Sequence, residues 1–270
     1  MKLSEAVRLL SDAGVDSPRE NARELFRHFD SFPVYKLISG DPETDNPALI
    51  EAVERRAKRE PLQYIIGEVE FYRERYKVTE DCLIPRADTE ILVDYAIGRL
   101  GVGARFLDLC CGSGCIAIST LANTKDTAAL AVDISAAALK LARHNAEINK
   151  VGGRVEFLQL DVLGDELPEC GKFDAILSNP PYVKDSVYET LENEIFYEPK
   201  AAFVGGDDGG DFYRSITPRY KELLADGGFI AYEIGYDQSE LISDIARECG
   251  MTVNIIRDLS GNPRVAVLEK

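Results

Sequence analysis

The sequence predicts an α/β fold with a mainly parallel, seven-stranded sheet, and three observations carry this prediction. Between residues 105 and 268, apolar runs of strand length alternate with segments of helical periodicity. The runs are apolar enough to be covered on both faces, as in parallel sheets. A glycine-rich turn at residues 112–114 follows the first run, and open α/β sheets bind ligands in that crevice.

The N-terminal part, residues 1–61, predicts a small helical bundle. Ser17 and Glu20 have the spacing of a capping box, and Pro18 lies at the first helical position. Asn46, followed by proline, opens a later helix. No catalytic constellation is visible in this part, so partner recognition and plain support are both open.

Two further features lie between the bundle and the sheet. The basic run at residues 55–59 offers a contact for nucleic acid, although a solvated helix face is the usual explanation. Residues 62–80 mix β-branched and aromatic side chains around Gly67, which predicts a short linking β-hairpin. The remaining residues, 81–270, form a predicted larger domain that contains the sheet.

Strands and helices alternate along this larger domain. A helix is predicted to begin near Asp88 or Thr89 and another near Ser113, and later helices are predicted at 136–149, 212–224 and 238–249. The predicted strands are 105–109, 129–134, 155–160, 173–178, 229–234, 252–258 and 264–268. The last two strands have no helix between them, which predicts antiparallel pairing at one edge of the sheet.

The tetrapeptide Asn179-Pro180-Pro181-Tyr182, after the fourth strand, carries the strongest functional signal. Prolines fix φ and lack an N–H, so the backbone is stiff and its carbonyls remain free as acceptors. The Asn179 oxygen and the Pro180 carbonyl can accept both hydrogens of a planar amino group, and the Tyr182 ring can lie on its flat face. The simpler alternative is a strand end closed by a proline turn.

The turn after the first strand predicts a nucleoside-bearing cofactor. Cys110, Cys111, Gly112, Ser113 and Gly114 form a loop that opens a helix, and Asp133 ends the next strand, where it can accept from ribose hydroxyls. The pattern also fits a dinucleotide site. Asp108 suits a cationic methionine amino group better than a pyrophosphate, which favours S-adenosylmethionine over NAD. Asp161, ending the third strand, either accepts from the adenine amino group or caps a turn.

Composition narrows the classes of function. The net charge of −16 works against binding to a phosphate backbone. No apolar stretch approaches the ~20 residues that span a bilayer, and the first residues lack a signal-peptide core, so we expect a cytoplasmic protein. Six cysteines lack zinc-knuckle spacing and only two histidines accompany them. Reduced, packed thiols and no metal are therefore predicted.

These elements together resemble the class I S-adenosylmethionine-dependent methyltransferases, which have a Rossmann-like fold. The chain as a whole resembles the HemK/PrmC family, the peptide-chain release factor N5-glutamine methyltransferases. The resemblance rests on the tetrapeptide at 179–182 and on Leu83-Ile84-Pro85-Arg86-Ala87-Asp88-Thr89-Glu90, the most selective segment. It extends to Phe71 and to the segments 60–67, 198–199, 209–213 and 233–236.

The resemblance implies an activity. S-adenosylmethionine would methylate the side-chain amide of the glutamine in the Gly-Gly-Gln motif of a class I peptide chain release factor, leaving S-adenosylhomocysteine. We expect a monomer that contacts neither membrane nor nucleic acid. The alternative is a methyltransferase for nucleic-acid amino groups, adenine N6 or similar. Such an enzyme needs a basic channel or a target-reading module, and neither is evident in this acidic chain.

The resemblance also implies roles for the matching residues. The loop 110–114 would hold the methionine part of the cofactor, and Asn179 would bridge cofactor and substrate. Asn179, Pro180 and Tyr182 would act in catalysis, with Pro181 completing the substrate clamp. The remaining cofactor contacts would be Asp133 at the ribose, Asp161 and Val162 at the adenine edge, Phe71 as a roof or else a hairpin core residue, and, less strongly, Glu90.

Two departures from the family pattern matter. The family usually has Gly-Thr where this chain has Cys110-Cys111, so either the turn is sterically tighter or Cys110 has a negative φ without loss. An aromatic residue often stands where Val162 does, so we expect modestly weaker cofactor affinity. The adjacent thiols are expected to be inert packing groups rather than oxidation-sensitive ones.

Overall fold

The computed structural model describes residues 1–164, 166–167 and 170–270. These divide into two compact units. One consists of Met1–Glu68 with Glu192–Tyr197, and the other of Val69–Leu191 with Glu198–Lys270.

The first unit is a bundle of short helices, as predicted. They are α1 (Leu3–Asp12), α2 (Pro18–Asp30), α3 (Val34–Ser39), α4 (Pro47–Ala57) and α5 (Leu62–Ile66). Asn46 caps α4, since its side chain accepts from the Ala48 N–H. The predicted capping box at Ser17 is wrong. Ser17 has a left-handed backbone with φ of +48° and its side chain makes no cap hydrogen bond, because that conformation turns it away from the first turn of α2.

The basic run at residues 55–59 is held by carboxylates within this unit. Arg55 pairs with Glu60, and both Arg56 and Arg59 bind Glu194, at 3.0 and 2.6 Å. Arg56 is only 6% exposed. The expectation of a solvated helix face is therefore wrong, because these guanidinium groups neutralise a shared carboxylate within the fold.

The hairpin begins later than predicted. Residues 62–66 form α5, which starts after Pro61 and ends at Gly67, where φ is +80°. The strands β1 (Glu68–Phe71) and β2 (Glu74–Lys77) then form a two-stranded sheet. The hairpin prediction is confirmed only for its second part, because α5 takes up the first five residues.

The second unit contains all seven predicted sheet strands. These are β3 (Arg105–Leu109), β4 (Ala128–Asp133), β5 (Val155–Gln159), β6 (Phe173–Ser178), β7 (Leu224–Glu233), β8 (Thr252–Arg257) and β9 (Pro263–Glu269). The helices are α6 (Glu90–Arg99), α7 (Cys115–Ala122), α8 (Ala136–Ile148), α9 (Asp185–Tyr188), α10 (Asp211–Tyr220) and α11 (Ser239–Glu248).

The strand order is β5-β4-β3-β6-β7-β9-β8. Strands β3 to β7 pair in parallel, and β9 lies antiparallel between β7 and β8. The predicted antiparallel pair at the edge is thus confirmed. Successive residues along the strands enter different cores: Phe106 belongs to one apolar cluster and Leu107 to the other. The sheet is therefore buried on both faces.

The strand order creates a switch point between β3 and β6. From β3 the chain proceeds outward through β4 and β5, and then returns to the other side of β3 with β6. The carboxyl ends of these strands carry the cofactor loop and the Asn-Pro-Pro-Tyr segment on neighbouring strands. Open α/β sheets bind ligands at such a point. Among the described residues, no helix is long and apolar enough to cross a bilayer.

Candidate active site

A cavity of about 260 Å³ lies at the carboxyl ends of β3 to β6. It brings together seven of the predicted site residues: Cys110, Gly112, Asp133, Asp161, Val162, Asn179 and Pro181. Aliphatic side chains such as Leu83, Ile134 and Leu160 complete the lining. The other predicted site residues do not line it; they are Phe71, Asp108, Cys111, Ser113, Gly114, Pro180 and Tyr182.

The cofactor loop, residues 110–114, is shaped by left-handed backbone conformations. Cys110, Gly112 and Gly114 have φ of +58°, +52° and +80°. Glycine adopts such angles freely, whereas a residue with a Cβ is strained there. Of the two possibilities for the Cys110 departure, the structure supports the sterically tighter turn. Negative φ at this position is excluded.

Asp133, at the end of β4, ties the loop to its neighbouring strand. Its Oδ2 accepts from the Gly112 N–H at 2.8 Å, and its Oδ1 from the Ser135 N–H at 2.9 Å. Burial raises the pKa of this carboxyl group, and the hydrogen bonds act against that shift. Asp133 also lines the cavity, so its carboxylate can serve as an acceptor there.

Asp108 lies fully buried on β3. Its Oδ2 accepts from the Ala117 N–H at 3.0 Å, while its Oδ1 has no hydrogen-bond partner among the described residues. Burial raises the pKa of Asp108 to about 8. Since Asp108 does not line the cavity, the structure does not place it at the surface where a cofactor amino group is predicted.

Asp161 and Val162 follow β5 and both line the cavity. The Asp161 Oδ1 accepts from the Leu163 N–H at 2.9 Å, so this carboxylate caps the turn, as one alternative held. It lines the cavity as well, so the adenine contact stays a prediction. Val162 presents an aliphatic surface in place of an aromatic ring.

Asn179 is oriented by a chain of hydrogen bonds. Its Nδ2 donates to the Thr89 Oγ1 at 3.2 Å, and the Thr89 hydroxyl donates to the Glu233 Oε2. Because the amide nitrogen faces Thr89, the Asn179 oxygen is left as the free acceptor of that amide. Pro180, the next residue, is buried, and among the described residues no donor contacts its carbonyl.

Tyr182 is fixed at both its ring and its backbone. Its hydroxyl donates to the Glu233 Oε1 at 3.0 Å, and its carbonyl accepts from the Gln238 Nε2 at 3.0 Å. Burial, followed by the neighbouring Glu233 carboxylate, raises the pKa of Tyr182 above its ordinary value. The phenol is therefore a protonated donor at neutral pH.

A glycine-rich loop packs directly on this backbone. A Cβ on Gly209 would stand 2.2 Å from the Tyr182 carbonyl oxygen, and one on Gly205 would stand 2.5 Å from the Pro181 oxygen. Real Cβ atoms do not approach backbone so closely, so only glycine fits at these two positions. Thus the side chains of Thr89, Glu233 and Gln238 hold the segment 179–182 by hydrogen bonds, and the glycine-rich loop packs against its backbone.

Thr89, Glu233 and Gln238 are site residues to which sequence reasoning assigned no role. Glu233 is 2% exposed and ends the apolar strand β7. A carboxylate at the end of an apolar strand could have identified Glu233 from the sequence, because a buried charge requires hydrogen-bond partners. Those partners could not be identified before the fold was known, because they lie far from Glu233 along the chain.

Phe71 and Glu90 do not line the cavity. Phe71 is 2% exposed and packs edge-on against Tyr76, at 5.9 Å between ring centroids. This favours the hairpin-core alternative over a cofactor roof. Glu90 accepts from the Tyr72 N–H at 2.7 Å and does not line the cavity either. Both residues stabilise the packing of the hairpin.

The cysteines of the loop are free and protonated. Burial is the main cause that raises the pKa of Cys110 and of Cys111 above the ordinary thiol range. Cys111 is buried, whereas Cys110 is partly buried and lines the cavity. A neutral thiol is a poor nucleophile, in keeping with inert packing. In the part of the chain that the structure describes, no group of three or more His, Cys, Asp or Glu side chains is placed to hold a metal ion.

Comparisons with known proteins identify the families to which the two parts of the chain are similar. The chain matches the Methyltransferase small domain family over residues 88–208 and the PrmC N-terminal domain family over residues 2–67. A ribosomal protein L11 methylase from Lactobacillus delbrueckii subsp. bulgaricus has a similar fold, with a TM-score of 0.51 at 19% identity over 69% of this chain and 80% of that one.

Two curated relatives extend over nearly the whole chain. A release factor glutamine methyltransferase from Fusobacterium nucleatum subsp. nucleatum is 37% identical over 99% of this chain and 77% of its own length. One from Thermodesulfovibrio yellowstonii is 38% identical over 92% of this chain and 91% of its own. The fold, the cavity and these identities place the chain in the release factor glutamine methyltransferase family.

Proposed function

We propose that this chain methylates the side-chain amide N5 of the glutamine in the Gly-Gly-Gln motif of a class I release factor, with S-adenosylmethionine as donor. The observation that carries the proposal is the orientation of Asn179. Its amide nitrogen is engaged by Thr89, so its oxygen is the acceptor available to a substrate –NH2 group.

The residues of the cavity fit the donor. Asp133 and Asp161 provide carboxylate acceptors for hydroxyl and amino groups, and aliphatic side chains cover the flat faces of a base. When bound, S-adenosylmethionine supplies a methyl group on a cationic sulfonium centre. Val162 offers less stacking surface than an aromatic residue, so affinity for the donor should be modestly weaker than with an aromatic residue at this position.

The clamp residues position and polarise the substrate amide. An amide nitrogen is a weak nucleophile because its lone pair is delocalised. The Asn179 oxygen and the Pro180 carbonyl would accept its two hydrogens and fix it in line with the methyl group. Such fixed orientation lowers a barrier by up to about 7–11 kcal/mol. No resident base is required, since the methylated cation is strongly acidic.

The other parts of the chain take supporting roles in this proposal. Residues 1–61 would recognise or support the partner, 62–80 would link, and 81–270 would catalyse. The enzyme would act as a monomer in the cytoplasm, where release factors meet ribosomes. The net charge of −16 agrees with a protein substrate better than with a nucleic acid.

One experiment separates the candidate functions. The chain is incubated with radiolabelled S-adenosylmethionine and a class I release factor, or with the variant whose Gly-Gly-Gln glutamine is alanine. We expect one methyl group on the glutamine of the first protein and none on the second. Methylation of duplex DNA or of RNA in place of the release factor would refute the proposal.

A further inference from the structure

We infer that Glu233 and Thr89 are positioning residues that set which way the Asn179 amide faces. This inference rests on the proposed function, because it concerns how the substrate acceptor of the clamp is presented. Glu233 and Thr89 do not line the cavity, and they act through Asn179 and Tyr182.

Burial raises the pKa of the Glu233 carboxyl group, and the hydrogen bonds from Thr89 and Tyr182 and the charge of Arg264 act against that shift. As a carboxylate, Glu233 determines the direction of these hydrogen bonds. A carboxylate can only accept, so both hydroxyl groups that contact it, those of Thr89 and Tyr182, must donate to it. The only hydrogen of the Thr89 hydroxyl is then engaged with Glu233. Toward Asn179, Thr89 offers only a lone pair, and the amide must turn its nitrogen to it. The amide oxygen consequently faces away from Thr89.

Burial prevents water from replacing any partner in this arrangement. Thr89 and Glu233 are each 2% exposed, so water cannot substitute for a lost partner. The elements involved are distant in sequence: Thr89 precedes α6, Asn179 follows β6 and Glu233 ends β7. Glu233 also accepts at its backbone carbonyl from the Tyr213 hydroxyl at 2.9 Å, which anchors the strand end. The chain of bonds is thus built into the fold.

The reversed arrangement would be harmful. If Thr89 donated to the Asn179 oxygen instead, the amide would present its –NH2 group to the substrate –NH2 group. Two donors then face each other, and the substrate nitrogen loses an acceptor. A neutral amide at position 233 permits this reversal, because glutamine carries one donor group and one acceptor.

The test compares four variants by turnover and by cofactor affinity. Thr89→Val keeps the shape but removes the hydroxyl, and Glu233→Gln removes the charge. We expect both to lower kcat by about 10- to 100-fold while the Kd for S-adenosylmethionine stays within about twofold. Thr89→Ser, which keeps the hydroxyl, should retain most activity. Tyr232→Phe, on the same strand as Glu233, is the matched control, since it deletes a buried hydroxyl that contacts Thr217 of α10.

A second readout needs no release factor. In the 15N-labelled free protein, the Asn179 side-chain signals are identified by their absence in Asn179→Asp. We expect slow hydrogen exchange at this amide in the parent and in Thr89→Ser, and fast exchange in Thr89→Val. Failure of the parent to methylate a release factor would refute the proposed function but would leave this measurement decisive for the role of Thr89.

Three results would overturn the inference. One is unchanged kcat in both Thr89→Val and Glu233→Gln. Another is a loss of kcat matched by an equal loss of cofactor affinity. The third is an Asn179 amide whose exchange rate does not respond to Thr89→Val.

Discussion

Two turns that follow neighbouring strands of one sheet are held in different ways. The cofactor loop after β3 takes left-handed backbone angles at three of its five residues, 110–114. The clamp segment 179–182 after β6 has no residue at positive φ. It is held by its prolines and by side chains from distant elements, Thr89, Glu233 and Gln238.

Because the two turns are held differently, we expect one to affect mainly stability and the other mainly turnover. A left-handed backbone conformation is set by the residues of the turn itself, and its strain lowers the free energy of unfolding. A hydrogen-bond chain through buried side chains determines where donors and acceptors point, and its loss appears first in turnover. Substitutions in the two turns should therefore differ in which quantity they change.

Asn179→Ala should give the largest effect on activity. It deletes the substrate acceptor, and removing one such preorganised group costs about 10²–10³-fold in kcat. The cofactor Kd should change far less, because the cavity keeps Asp133 and Asp161. The two quantities are measured by single-turnover methylation and by calorimetry. An equal loss in both would make Asn179 a cofactor residue and would remove the contrast between the turns.

Gly209→Ala should combine both kinds of effect. Its φ of +78° strains any side chain, and the new Cβ would also lie 2.2 Å from the Tyr182 oxygen. We expect a loss of about 2–4 kcal/mol in stability, from strain and overpacking together, with reduced turnover.

Gly227→Ala is the matched control for this change. Gly227 has a φ of +75°, and its added Cβ would meet no atom within 4 Å. It should lose about 1–2 kcal/mol of stability with turnover intact. Thermal unfolding and turnover are measured for both variants. Equal behaviour of the pair would show that the glycine-rich loop does not support the clamp.

The contrast between the turns also explains which features could be predicted from sequence. All seven strands follow from apolar runs of strand length, and the cofactor loop follows from its glycines, because both signals are local. The partners of the clamp could not be predicted, since Thr89 and Glu233 are brought together only by the tertiary fold. For the same reason the pairing of Arg56 with Glu194 was missed, and the choice for Phe71 between a cofactor roof and a hairpin core stayed open.

Titration of Asp108 tests whether the stability of the region around the cofactor loop depends on backbone conformation alone. Burial raises the pKa of Asp108 to about 8 from an ordinary value of 3.8, so the folded chain retains a proton that the unfolded chain releases between these values. Stability from this group is complete below the unfolded pKa and is lost as pH rises toward 8. The slope is at most about 1.4 kcal/mol per pH unit.

Asp108→Asn should remove that slope. Its amide oxygen can still accept from the Ala117 N–H, so the hydrogen bond that Asp108 makes is kept. The free energy of unfolding is measured by urea titration of parent and variant between pH 5 and 7, and we expect about 2 kcal/mol less pH dependence in the variant. Parallel curves would show that Asp108 ionises normally in the folded protein.

Substitutions of Cys110 should have the smallest effect on stability. They separate the effect of the backbone conformation from that of the thiol. Cys110→Ala and Cys110→Gly both remove the thiol and differ only in the Cβ. At a φ of +58° the glycine variant should be the more stable by about 1 kcal/mol. Cys111 lies next in the chain without a positive φ, so there alanine should be the more stable, by about 0.5–1 kcal/mol. Thermal unfolding of the four variants measures both differences. The same order at both positions would show that left-handed strain does not shape the cofactor loop, and the contrast with the clamp would fail.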